Sequence, residues 1–220
     1  MKKILPLLAL LAMILAGCGG KMDRTVVNPT ERTPNVSKTF DLPYDKVWKA
    51  TVDALAESFW SLDNIEKDSG ILTLSCVFER PADWIDCGTT HHRAHFNTLK
   101  QDITYETASS PQTILYVVGE GFGSRFDKVY RTVTASAKSN VVVKKIGANK
   151  TLVTVNTNNV LTLEYKSFFG PHGLFPKTSD TMTFNNKGFG SFDSLPESMI
   201  CRSKNTFEQQ IFDAIEKKLR

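Results

Sequence analysis

The sequence lacks a hydrophobic run long enough to cross a bilayer as a helix, and it lacks a cluster of basic residues. Its longest uncharged apolar run, residues 4–16, would cover only about 20 Å as a helix, short of a hydrocarbon core about 30 Å thick. The 220 residues carry a formal net charge of +4 with scattered lysine and arginine, so no nucleic-acid partner is indicated. With 41% hydrophobic and 23% charged residues, the composition excludes a polytopic membrane protein, a collagen-like chain and a disordered tail protein.

Motifs of common enzymes are absent as well. The chain has no Cys-x-x-Cys pair of a redox enzyme and no Gly-x-Ser-x-Gly elbow of a hydrolase. The glycine-rich stretch 119–124 lacks the lysine of a P-loop and the long helix that follows a dinucleotide fingerprint, so we interpret it as a loop. We therefore predict a protein that is not an enzyme and binds no cofactor.

The histidines of the stretch 91–95 give a weak metal signal. On a helix His91 and His95 would share a face, as in the His-Glu-x-x-His motif of zinc enzymes. His92 stands where that motif has its glutamate, so the general base is missing, and the preceding residues 88–90 suggest a loop. Solvated histidines are the favoured interpretation, and a metal site is the alternative.

The N-terminus has the form of a processing signal. Lys2 and Lys3 precede the apolar run, as in a secretory signal peptide of residues 1–17. The run closes with Leu15-Ala16-Gly17-Cys18, which resembles the lipobox of bacterial lipoproteins. This resemblance implies cleavage before Cys18, a diacylglyceryl thioether on its sulfur and an acyl chain such as palmitate on its amino group. An ordinary secretory signal with an incidental cysteine is the alternative.

Such an anchor predicts the location of the protein. One acyl chain binds a bilayer only marginally, whereas several chains hold a protein there stably. Gly19 differs from the aspartate of an inner-membrane retention signal, so we expect the outer membrane, with the domain facing the periplasm. Cleavage would remove Lys2 and Lys3 and lower the formal charge of +4 by two. Residues 18–36 are polar and contain Pro29 and Pro34, and we interpret them as a flexible tether.

Residues 37–220 are predicted to form a single α+β domain. An amphipathic helix is expected over 44–58, preceded by Pro43. A hairpin follows, with strands 61–66 and 71–78 around the turn cluster 67–70. The expected apolar face of the helix consists of Val47, Trp48, Val52, Leu55 and Phe59.

Further strands and a second helix complete the domain. In the run 151–165 the apolar residues fall on odd positions, which predicts one long strand, with a turn at Asn158-Asn159 as the alternative. A C-terminal amphipathic helix would begin with a capping box at 206–209. This order fits an antiparallel sheet wrapped around the C-terminal helix, a helix-grip-like architecture. The other strands are expected at 103–105, 113–118, 141–146 and 181–184.

Three stretches of this domain carry a family resemblance. The sequences of residues 40–50, 64–73 and 201–208 resemble a pattern of bacterial envelope lipoproteins with helix-grip-like domains, a group that includes a lipoprotein of the β-barrel assembly machinery. The likeness covers about 38–78 and 140–220, and residues 79–139 do not follow it. Because that lipoprotein of the machinery is a longer, two-domain protein, the resemblance implies a fold and an envelope role without membership of the machinery.

The remaining cysteines are expected to lie in an oxidising compartment. Cys76 shares the apolar face of its strand with leucine and phenylalanine neighbours, which favours a buried core thiol. Cys87 lies in a loop-like context and Cys201 immediately before the last helix. We predict the disulfide Cys87–Cys201, with Cys76–Cys87 as the alternative.

The last candidate is a loop at 167–176 rich in glycine and proline. Its large apolar side chains, Phe168, Phe169, Leu174 and Phe175, would be poorly solvated there. They either fold back onto the domain or form a surface for a partner, a membrane or a ligand. Two functions follow from the sequence. The first is a non-enzymatic outer-membrane lipoprotein with an envelope protein partner, and the alternative is a helix-grip binding protein for a lipid or small apolar molecule.

Overall fold

The computed structural model describes residues 20–96, 99–106, 112–118, 125–167, 178–192 and 199–220. Within these ranges the chain forms two α-helices, α1 (Tyr44–Ala56) and α2 (Thr206–Leu219), and thirteen β-strands. The described strands pair in antiparallel fashion, so the predicted α+β class is confirmed. The strands are β1 Gly20–Val27, β2 Ser37–Phe40, β3 Ser61–Glu66, β4 Ile71–Phe78, β5 Ile85–Asp86, β6 Thr89–Phe96, β7 Leu99–Glu106, β8 Gln112–Val118, β9 Arg125–Gly147, β10 Lys150–Ser167, β11 Thr178–Asn185, β12 Phe189–Phe192 and β13 Met199–Ser203.

The long hairpin of β9 and β10 forms the middle of the main sheet. The two strands pair from Val129 opposite Ser167 to Gly147 opposite Lys150, with a single bulge near the turn. The other edge of β9 pairs with β4 and β8, and the other edge of β10 pairs with β2 and β11. β3 completes the order β11-β10-β9-β4-β3. Two further three-stranded sheets have the orders β1-β6-β7 and β12-β13-β5.

One face of the main sheet is apolar and the other is polar, because side chains alternate along each strand. On the inner face Leu72, Val141 and Val155 are fully buried. On the outer face the Thr73 hydroxyl donates to Asn140 Oδ1 at 3.0 Å. Both helices join the same core as the inner face of the sheet, through Val47, Trp48, Ala54 and Leu55 of α1 and Phe207, Ile211, Phe212 and Ile215 of α2.

The start of α2 is fixed by polar contacts that differ from the predicted capping box at 206–209. The helix begins after Asn205, which has left-handed backbone geometry with φ 58°. Thr206 Oγ1 donates to the Asp83 carbonyl at 3.3 Å, and Glu208 points into the core, where its Oε1 accepts from Asn186 Nδ2 at 2.8 Å. The capping-box prediction is wrong, because Asn205 rather than Thr206 is the N-cap, and Gln209 Nε2 donates to Asp213 Oδ1 at 2.7 Å instead of bonding back to the helix start.

The tether predicted for 18–36 is wrong over residues 20–27, which form β1. β1 pairs with β6 along its whole length, from Gly20 opposite Phe96 to Val27 opposite Thr89. Farther along, the Val36 carbonyl accepts from the amide of Val155 at 2.8 Å. Main-chain hydrogen bonds do not depend on apolar side chains, so a polar stretch without periodicity still forms a strand where a free edge is available.

Two smaller expectations are also corrected. β10 runs unbroken through Asn158 and Asn159, and the buried Asn159 amide reaches the Phe184 carbonyl, which excludes the alternative turn. Phe59 does not belong to the apolar face of α1, because the helix ends at Ala56 and leaves Phe59 fully exposed. The predicted hairpin with its turn at 67–70 is confirmed.

Some predicted features lie outside the described residues: Cys18 with the signal peptide, the loop 119–124, and Phe168, Phe169, Leu174 and Phe175. Across the described ranges, neither helix has the length and apolar character needed to span a membrane.

The buried pair of Asn186 and Glu208 yields a test of the core. Asn186 Nδ2 also donates to the Val155 carbonyl at 2.9 Å, so Asn186→Ala removes two hydrogen bonds and leaves a buried carboxylate without its donor. We expect the free energy of unfolding to fall by about 1–3 kcal/mol in urea titration. Asn156→Ala, at an exposed site on the outer face, is the control, and an equal loss in both variants would contradict this role.

Candidate functional site

A groove of about 540 Å³ lies along one edge of β4, and we call it the edge groove. β3 begins at Ser61 opposite Ser75, so it does not reach the last three residues of β4. These residues, 76–78, pair with β9 on one side, and no strand of the described chain pairs with them on the other. The groove is lined by Phe59, Trp60, Cys76, Val77, Phe78, Glu79, Arg80, Asp83, Trp84 and Gln210.

Aromatic rings form the inner wall of the edge groove. Phe207, buried at the start of α2, meets Trp60 edge-on with ring centroids 5.0 Å apart. It also contacts Phe78 and Trp84, which stack on each other with centroids at 4.9 Å. Offset-stacked and edge-to-face arrangements are the favourable geometries for aromatic pairs, so the four rings support one another. Trp60 and Trp84 are only partly buried and present their remaining surface to the groove.

The segment that carries Trp84 is linked by a disulfide to β13, the strand that leads into α2. A short 3-10 helix, Pro81–Asp83, precedes Trp84, whose carbonyl accepts from the amide of Lys204 at 2.8 Å. β5 follows and pairs with β13, and the next position in this register brings together Cys87 and Cys201. Their sulfurs are bonded at 2.06 Å, as predicted, and the alternative pairing with Cys76 does not form.

The rim of the groove combines exposed apolar surface with charge. Phe59 is fully exposed and Val77 is 80% exposed, and both line the same groove. Two large apolar side chains exposed together are more informative than a single one. Arg80 forms an ion pair with Asp83 at 2.7 Å, which leaves Glu79 without an ion-pair partner among the described residues. The rim therefore carries a surplus of negative charge.

Cys76 contributes a half-buried free thiol to the groove. Burial raises the pKa of this thiol to about 11; a hydrogen bond from the Ala137 backbone opposes the shift, and the charge of Glu208 adds to it. A thiol with such a pKa is protonated at neutral pH and is a poor nucleophile. The thiol expected to be buried in the core packs against the core but is only partly buried, and it also lines the groove.

The two candidate metal ligands lie in a strand. His91 and His95 belong to β6, where positions four apart are separated by about 13 Å along the strand. The helical backbone that the His-Glu-x-x-His motif requires therefore does not occur at these positions. Among the described residues, no group of three or more histidine, cysteine, aspartate or glutamate side chains is placed to hold a metal ion.

Sequence reasoning did not identify the edge groove. One signal was present: Val77 interrupts the polar outer stripe of β4 that begins with Thr73 and Ser75. Phe59 and Trp60 gave a second signal. They are large aromatic residues adjacent in sequence, and one face of a helix can bury only one of them. Neither signal reveals that β3 begins only opposite Ser75 and leaves residues 76–78 without a partner strand on that side. The start of β3 depends on where α1 ends.

Comparison with known proteins yields no match to a family model, a curated protein or a solved structure. The resemblance to helix-grip envelope lipoproteins therefore rests on the sequence motifs alone and stays a prediction.

The raised pKa of Cys76 predicts unusual reactivity with alkylating reagents. In a Cys18→Ser chain, the rate of iodoacetamide modification at Cys76 should rise about tenfold per pH unit from pH 7 to pH 9.5, because the thiolate fraction does so below a pKa of about 11. The same chain unfolded in urea is the control, and its rate should level off near pH 9. A plateau below pH 9 in the folded chain would contradict the burial of the thiol.

The disulfide predicts a large effect on stability. It closes a loop of 114 residues, and the chain-entropy description assigns such a cross-link about 4–5 kcal/mol. We expect the double variant Cys87→Ser, Cys201→Ser to lose this amount in denaturant titration of the full chain. Cys76→Ser is the matched control and should change stability little. A disulfide-linked peptide containing Cys76 in non-reducing mapping would refute the assignment.

Proposed function

We propose that this protein is a cell-envelope lipoprotein, anchored in the outer membrane, that acts as a non-enzymatic structural or assembly accessory with a protein partner. The observation that carries the proposal is the lipobox-like sequence ending at Cys18, directly after a charged start and a short apolar run. The disulfide Cys87–Cys201 supports it, because such bonds persist outside the reducing cytosol.

The edge groove supports binding over catalysis as the role of the domain. Its one thiol is protonated at neutral pH. Of its three charged side chains, Arg80 and Asp83 are paired with each other, and Glu79 stays exposed at the rim. What the groove offers is aromatic surface beside an unpaired strand edge, and protein interfaces favour aromatic anchors of this kind.

A small apolar ligand is the second candidate, and the volume of the edge groove favours it. About 540 Å³ lies within the range of small-molecule sites. The space between sheet and helices is a poorer place for such a ligand, because Leu55, Leu74 and Phe212 fill the described core with no exposed surface. Solvent extraction of the purified full chain followed by mass spectrometry tests this candidate through a stoichiometric small molecule.

The anchor itself is tested by metabolic labelling. Cells supplied with radioactive palmitate should label the wild-type chain, whereas Cys18→Ser should carry no label, because the thioether and the new amino terminus both depend on Cys18. Cys76→Ser is the matched control and should keep the label. Label retained in Cys18→Ser would refute the proposal.

The predicted destination is tested by separating the two membranes on a density gradient. Wild-type protein should appear in the outer-membrane fraction, and Gly19→Asp should move to the inner membrane. Wild-type protein in the inner-membrane fraction would contradict the proposed location while leaving the anchor intact.

A further inference from the structure

We propose that the edge groove binds an extended peptide segment of another envelope protein, which adds a strand to β4 beside residues 76–78 and carries a large apolar side chain next to a lysine or arginine. The inference rests on the proposed function, because it names the kind of partner that the accessory would hold.

The main chain of β4 supplies the first argument. A strand with one neighbour presents a row of unpaired amides and carbonyls on its other side, which is a template for an added strand. β9 occupies one side of residues 76–78, and β3 leaves the other side open within the described chain. Extended peptides commonly bind by completing such an edge, with main-chain hydrogen bonds giving affinity.

The walls supply the second argument, because they give specificity to an added strand. Residues directly opposite each other in paired strands point to the same face of the sheet. A peptide residue opposite Cys76 or Phe78 would therefore point to the inner side, where Trp60 and Trp84 are only partly buried. One large apolar side chain placed there would cover their remaining surface.

The charge of the groove rim determines which peptide residue is favoured beside the apolar side chain. Glu79 follows directly after the free edge and has no ion-pair partner within the described ranges, while Arg80 is engaged by Asp83. At the other end of the edge, the Asp63 carboxylate lies beside Ser75, accepting its hydroxyl at 2.9 Å. Acidic groups thus stand at both ends of residues 76–78, which favours a basic residue beside the apolar anchor.

A random peptide library tests this proposal with no partner chosen in advance. The full chain, purified in detergent and immobilised, is exposed to phage displaying random dodecapeptides, with empty micelles as the counter-selection. Enriched peptides should alternate apolar residues and contain lysine or arginine beside an aromatic or large aliphatic residue. A synthetic peptide of the most enriched sequence then serves as the probe for the variants.

The variants alter only exposed rim residues, so the fold should be retained. Glu79→Lys, and separately the double variant Phe59→Ser, Val77→Ser, should each weaken binding of the synthetic peptide at least tenfold. The controls are Asp68→Lys, a charge reversal in the turn at the opposite end of β4, and Ile65→Ser, which removes an exposed apolar side chain from β3. Both controls should bind as the wild type does.

Amide hydrogen exchange distinguishes strand addition from other contacts. The peptide should slow exchange in a fragment covering residues 76–79 and leave residues 71–75, already paired on both sides, unchanged. The proposal would be overturned if the rim variants bound the peptide as well as the wild type, or if no peptide were enriched over empty micelles. It would also be overturned if self-association or a co-purifying small molecule caused the slowed exchange of residues 76–79. Palmitate labelling of Cys18 together with any of these results would overturn the groove proposal alone and leave the lipoprotein proposal standing.

Discussion

The pairing of β9 with β10 is the interaction on which the rest of the fold depends. This hairpin has a local turn at residues 147–150, and its two outer edges provide the pairing surfaces for four other strands. Its inner face also carries much of the core that both helices share. Because β9 is longer than β4, it continues past Phe78 to pair with β8, whereas β3 on the far side of β4 is short. The difference in length between these neighbours creates the free edge of β4.

The disulfide and the aromatic cluster turn that free edge into a groove with defined walls. Trp84 is held from three directions: by its stacking on Phe78, by the Lys204 amide, and by the link from Cys87 to Cys201. Rigid walls reduce the entropy lost on binding, because fewer side chains and loops must be ordered at that moment. The disulfide therefore serves the groove as well as the stability of the domain.

Periodicity predicted the elements whose side chains alternate between core and solvent. The run 151–165, the hairpin around 67–70 and the helix beginning at Thr206 could be predicted because each buries a regular stripe. The strand β1 could not, because its residues are polar and its stability comes from pairing with β6. The capping box at 206–209 failed for a related reason: the Thr206 hydroxyl donates to the carbonyl of Asp83, a residue distant in sequence.

The pairing of β1 also changes how the anchor and the domain are related. If Cys18 carries the lipid, as proposed, β1 begins two residues later, so the domain lies within about 10 Å of the acylated residue. The eight residues of β1 then extend for roughly 25 Å and end at Val27. There the chain meets Gly88, whose φ of +71° and closeness to the Val27 carbonyl leave no room for a side chain. Gly88 adjoins Cys87, so β1 leads from the residues next to the proposed anchor to the disulfide that fixes the groove wall. With a lipid on Cys18, the groove wall would thus be connected to the anchor through a paired strand rather than through a flexible tether.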